Sequence, residues 1–149
     1  ETIRATVIGA GCHSAQLSGS TVFHQNVPFP LKNVPVVSLT DISRETIRRE
    51  LNKQEDSAIL AFPGINSPGY REVAAMAEEI AAGTGGNALI CLEQDMAKAL
   101  GQALALRLGC NAQILCIDRV KVSEGSYLDV GAPVGPALPV VVKTLVLGK

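Results

Sequence analysis

The first residues with the types and spacing to do chemistry are Gly9-Ala10-Gly11-Cys12-His13-Ser14. They follow a β-branched run and nearly spell the dinucleotide fingerprint GxGxxG, with Ser14 in the third glycine position. That fingerprint needs a helix N-terminus at the motif and an acid about twenty residues on for the ribose. Here the segment enters Ser18-Gly19-Ser20-Thr21-Val22 and meets no acid until Asp41. It therefore reads as a Gly/Ser-rich loop between two strands. The backbone N–H groups and hydroxyls of Gly9, Gly11, Ser14, Ser18, Gly19 and Ser20 either form an anion nest for phosphate or belong to an ordinary hairpin loop.

A second candidate is Glu93 with Asp95, where an apolar run hands over to a helical pattern. That is the carboxyl edge of a sheet, where ligands of α/β proteins bind. Both carboxylates are placed to face a nucleotide or a metal, and the ordinary alternative for Asp95 is a helix N-cap. Gly101 interrupts the helix that follows at a cost of about 1 kcal/mol against Ala. Close approach of a ligand, or packing alone, accounts for it. A two-metal nuclease centre would need carboxylates on the first strand, and Thr2 to Ile8 has none. No catalytic residue and no metal ligand are assigned.

Other reactive side chains read as structural. Cys12 and His13 are neighbours, and in an extended segment adjacent side chains point to opposite faces. Cys12, Cys91, Cys110 and Cys116 contain no CxxC pair, so they do not spell a zinc site. Cys91 and Cys116 fall within apolar runs, where a free thiol behaves as a small hydrophobe. Arg44, Arg48, Arg49 and Lys53 are interleaved with Glu45, Glu50 and Glu55, as on a solvated helix face.

The elements that must position these residues follow from the hydrophobic rhythm. Thr2 to Ile8 and Thr21 to His24 read as two paired strands, and Val36 to Leu39 as a third. Helices are expected from near Ser43, from Ser67-Pro68 to a terminator at Gly83, and from Asp95 to Gly109. Between and after them, Ala58 to Phe62, Ala88 to Leu92 and Ala112 to Ile117 read as buried strands. Residues 126–149 carry several Gly and Pro before Val140-Val141-Val142, so they read as a looped extension ending in one more strand. Three strands followed by three helix–strand units are the order of a ribonuclease H-like α/β domain, a mixed sheet flanked by helices. The whole chain, 1–149, is read as one domain.

Composition narrows the function. Of 149 residues 47% are hydrophobic and 18% charged, so the chain can build a core. A net charge of -1 lacks the basic excess that phosphate neutralisation requires, which disfavours nucleic acid. Residues 5–31 carry no charge, but their Ser, Gln, Asn and His content rules them out as a membrane span. No secretory leader is read at the start, and free cysteines suit a reducing compartment.

Three stretches in one register carry a family resemblance: GAGCHSAQLSGSTV within Glu1 to Gln25, LEQDMAKALGQAL from Leu92 to Leu104, and SYLDVGAPVG with PVVVKTLVL between Asp118 and Leu147. Together they resemble the C-terminal part of the ethanolamine ammonia-lyase reactivating factors, also called ethanolamine utilisation protein A. The resemblance implies the C-terminal half of a two-lobed actin-like ATPase whose ribonuclease H-like halves clasp ATP and Mg. It implies a chaperone-like reactivase that releases damaged cobalamin from ethanolamine ammonia-lyase. The implied partners are the lyase and the protein's own N-terminal half, and the implied location is the cytoplasm, with a bacterial microcompartment as a possible association.

On that pattern Gly9 to Ser20 is the second phosphate loop, and Glu93 to Lys98 (Asp95 and Lys98 included) lie with Gly101 near the nucleoside. The first phosphate loop and its metal-binding acid belong to the other half, so this chain alone is expected to be inactive. The competing classes are a nucleotide-dependent small-molecule oxidoreductase using Gly9, Gly11 and Ser14, and a domain that only binds protein.

Overall fold

The computed structural model describes residues 10–16, 22–54, 56–65, 67–120, 122, 125–134 and 138–145. Its elements are β1 (Ala10–Gln16), β2 (Val22–Gln25), β3 (Leu31–Ser38), α1 (Arg44–Asn52), β4 (Ile59–Phe62), α2 (Tyr70–Thr84), β5 (Ala88–Leu92), α3 (Ala97–Leu108), β6 (Ile114–Ile117), β7 (Ser126–Val130) and β8 (Pro139–Leu145). The eight strands form one mixed sheet in the order β1-β8-β7-β3-β4-β5-β6-β2. β3 to β6 run parallel. The remaining pairings are antiparallel.

The parallel half follows from its residues. Ile59–Phe62, Ala88–Leu92 and Ile114–Ile117 are buried at every position, as strands covered on both faces must be. Each of the connections β3-α1-β4, β4-α2-β5 and β5-α3-β6 steps one strand in the same direction. Because βαβ crossovers are right-handed, all three helices fall on one face. There Ile47, Ala77, Ile80, Leu100 and Leu104 meet Val37, Leu60, Ile90 and Cys116. The opposite face carries a second core of Val36, Ile59, Leu89, Leu115, Leu128 and Val140, with no helical residue in it. On that side the described strands pack against one another together with Val120 and Val122 after β6.

Several expectations are corrected. The Gly/Ser-rich loop expected over Gly9 to Ser20 is, at Ala10–Gln16, the strand β1, in register with β8 from Ala10↔Leu145 to Gln16↔Pro139. This stretch has no β-branched residue, so the pairing with β8 overrides local propensity. The helix that a dinucleotide fold needs at Cys12 is thereby ruled out. β2 lies antiparallel to β6; the expected pairing of Thr21 to His24 with Thr2 to Ile8 involves a segment that lies outside the described residues.

Ser43 caps α1 as expected, its side chain accepting from the Thr46 N–H. α2 starts later than Ser67: the cap is Gly69, whose N–H donates to the Glu72 carboxylate at 2.8 Å. It also runs past Gly83 to a left-handed cap at Gly85. Gly83 sits inside the helix because a Cβ there would lie 2.7 Å from Ile47 Cβ. Finally, the expected looped extension contains β7, which alternates buried Ser126, Leu128 and Val130 with half-buried Tyr127 and Asp129. β7 is an interior strand between β3 and β8, tied by Asp129, which accepts from Lys143 at 2.8 Å and from the Asn33 N–H at 2.7 Å.

Candidate functional site

The parallel strands deliver their carboxyl ends to one edge, and the connections there are stitched by backbone bonds. The Pro63 carbonyl after β4 accepts from the N–H groups of Glu93 and Gln94 after β5, at 3.2 and 3.0 Å. The Val120 N–H after β6 donates back to the Leu92 carbonyl at 3.0 Å. Between these turns lies a cleft of about 90 Å³ lined by Ser38, Pro63, Cys91, Glu93, Val120 and Val122, among others.

Asp118, the residue after β6, is fully buried and points at the start of α3, where its Oδ2 accepts from the Ala97 N–H at 3.0 Å. The carboxylate thus sits at the positive end of the α3 dipole. Its Oδ1 has no hydrogen-bond partner among the described residues. Burial pushes the Asp118 carboxyl above its ordinary range, and the nearby Asp95 adds to this; the Ala97 N–H and Arg119 pull the other way without cancelling it. Arg119 takes a left-handed φ of 63° and pairs with Asp95 at 2.8 Å, with both side chains about half exposed. The residues that carry this edge were therefore only half visible in the sequence. Asp118-Arg119 directly follows the apolar run AQILCI, and that position at the carboxyl end of a strand is the signal that points to it.

The sequence candidates separate. Glu93 and Asp95 stand exposed at this edge, and Lys98 is exposed on the first turn of α3. Asp95 is not the N-cap: Met96 holds that position, with no side-chain cap bond, and the N–H of the first helical residue, Ala97, is taken by Asp118. Gly101 is buried, and a Cβ built on it would clash with Cβ, Cγ and Cδ2 of Phe23 from β2, which makes it a packing position. Gly11 and Ser14 are in β1, opposite Thr144 and Val141. An antiparallel ladder commits amides to β8 that an anion nest would have to turn into one concavity. Gly9, Ser18, Gly19 and Ser20 lie outside the described residues.

Chemically the edge offers exposed carboxylates that accept hydrogen bonds from hydroxyl or amino groups. It holds no activated nucleophile among the described residues. His24 is exposed and stacks edge-on against Phe29, with centroids 5.4 Å apart. Burial pushes the Cys91 thiol up to about 12 and the Cys116 thiol higher still, so both are inert. The described residues contain no group of three or more His, Cys, Asp or Glu placed to hold a metal ion, and no helix long and apolar enough to cross a membrane.

A family model described as "Ethanolamine utilisation protein EutA" matches residues 1–148. The chain is 35% identical to the ethanolamine ammonia-lyase reactivase EutA of Salmonella typhimurium and 36% identical to that of Escherichia coli, over 97% of its own length in each case. It spans about a third of the length of those relatives, 34% of each. No solved structure matches it.

Proposed function

Because the chain belongs to the ethanolamine utilisation protein EutA family, we propose that it serves as one lobe of a reactivating protein that restores ethanolamine ammonia-lyase by releasing damaged cobalamin. The observation that carries this reading is the collinear similarity to two reactivases over nearly the whole chain. The mixed sheet, with its parallel strands opening on one edge, suits a ribonuclease H-like lobe of an actin-like ATPase.

The described residues at this edge do not by themselves fit the ATP and Mg of that class. The edge cleft of about 90 Å³ is well below the roughly 300–1,000 Å³ of small-molecule sites. No trio of metal-ligating side chains stands among the described residues. A nucleotide site therefore requires a second lobe, to which this chain contributes the exposed edge of Glu93, Asp95 and Lys98. The rigid β5–α3–β6 unit, tied by Asp118, holds that edge in place, in a protein of the cytoplasm that can associate with a bacterial microcompartment.

The test is reactivation. A reactivase-length protein carrying this chain, given inactivated lyase, ATP, magnesium and adenosylcobalamin, should restore turnover, whereas the chain by itself should show no ATPase activity above background. Folded long protein that restores nothing with all three additions present would count against the reading.

A further inference from the structure

The two furrows between neighbouring helices differ. The α1–α2 furrow is closed by polar bonds: Arg44 grips Glu79 through two nitrogens at 3.1 and 3.0 Å, and Arg48 donates to the Ala82 carbonyl. The α2–α3 furrow is open and apolar, a groove of about 260 Å³ lined by Tyr70, Val73, Ala74, Ala103, Leu106 and Arg107, among others. Of the three large exposed hydrophobics among the described residues, two lie here: Tyr70 is 84% exposed and Leu106 82%.

The charge lining this furrow has one sign. Among the described residues Arg107 is the only cation lining it and no acid does. α3 carries Lys98 and Arg107 and no carboxylate. The acids of α2 are engaged elsewhere, Glu72 at the Gly69 N–H and Glu78 and Glu79 at Arg44. A furrow between two helices accepts the apolar anchors of a third at helical spacing. Tyr and Arg at the margin of a small apolar patch are the composition of a binding hot spot, and a patch of this extent with a polar rim suits a partner that must leave again.

We propose that the α2–α3 furrow docks the client enzyme through an amphipathic helix whose apolar stripe is flanked by carboxylates, Tyr70 and Leu106 seating the stripe and Arg107 meeting the acids. This rests on the reactivase reading, which makes the lyase the client. The tests use reactivase-length protein and lyase holoenzyme, with binding measured by calorimetry at low and high salt.

Leu106→Glu and Tyr70→Ala, both at exposed positions, should each weaken lyase binding by about tenfold or more. Arg107→Glu should remove much of the salt dependence. If the wild-type protein reactivates the lyase and the variants bind it as wild type does, the docking proposal fails while the function stands. If wild type neither binds nor reactivates, the function itself fails. If Leu106→Glu lowers the melting temperature or converts a dimer to a monomer, the furrow is covered by the protein's own remainder or by a second copy, and the proposal is likewise overturned.

Discussion

A Gly101→Val variant is expected to unfold at clearly lower urea concentration, with a loss of about 2–3 kcal/mol. Intrinsic helix propensity pulls the other way, since Gly in a helix interior costs up to about 1 kcal/mol against Ala. Steric conflict wins because the side chain has nowhere to go: a Cβ on Gly101 clashes with Cβ, Cγ and Cδ2 of Phe23, and α3 is held there by the fully buried Leu100 and Leu104. Coupling distinguishes this cause from any other. In a Phe23→Ala background the same substitution should cost less than half as much, because the two residues contact each other. Equal costs in both backgrounds, or an unchanged urea midpoint, would show that Gly101 is not a packing position and reopen the ligand reading.

The second large effect is at Asp118. Asp118→Ala leaves the buried Ala97 N–H without its acceptor, an expected loss of about 1–3 kcal/mol. Asp118→Asn keeps an acceptor and removes the charge, which makes it the probe of pH dependence. Since burial raises this carboxyl above its ordinary value of 3.8, the folded state holds the proton more tightly than the unfolded state. The stabilisation from that proton is complete below 3.8 and is lost as pH rises through the raised folded value. Wild type should therefore lose stability relative to Asp118→Asn across that window, and the difference should level off above it. A difference that is flat with pH, or that grows in favour of wild type as pH rises, would contradict the raised carboxyl. Denaturant titrations of both proteins at several pH values decide it.

The parts of the fold that the sequence revealed are those where one local signal sufficed. Ala88 to Leu92 is a continuous apolar run and is buried at all its positions. Ser43 both looks like a cap and acts as one. What stayed hidden depended on distant partners. Ala10–Gln16 is a strand because β8 is beside it, and nothing in its Gly, Ala and Ser content announces that. β7 did carry a period-two pattern in Ser126, Leu128 and Val130, but the glycines and prolines that follow it drew the reading toward a loop.

The site divides in the same way. Glu93 and Asp95 were legible from their place after an apolar run. The Asp118 tie to Ala97 and the Asp95–Arg119 pair arise only once β5, β6 and α3 are packed together. Gly101 was legible as an anomaly, while its cause, a phenylalanine from an edge strand, was not.

The first two described strands occupy the two outer positions of the sheet, β1 against β8 and β2 against β6. During synthesis this makes β1 and β2 wait for strands that are made long after them. All of β2 to β7 must emerge before Ala10 has Leu145 to pair with, whereas β4, β5 and β6 each pair with a neighbour one helix away. Loop-closure entropy grows slowly with length, so the delay affects folding order and rate more than final stability. Pulse-labelled hydrogen exchange during refolding should find β4 to β6 protected first and β1 with β8 last, and simultaneous protection would refute that order. Until then β1 lacks its β8 ladder and β2 its β6 ladder, a period when the nascent chain is prone to pair with other molecules.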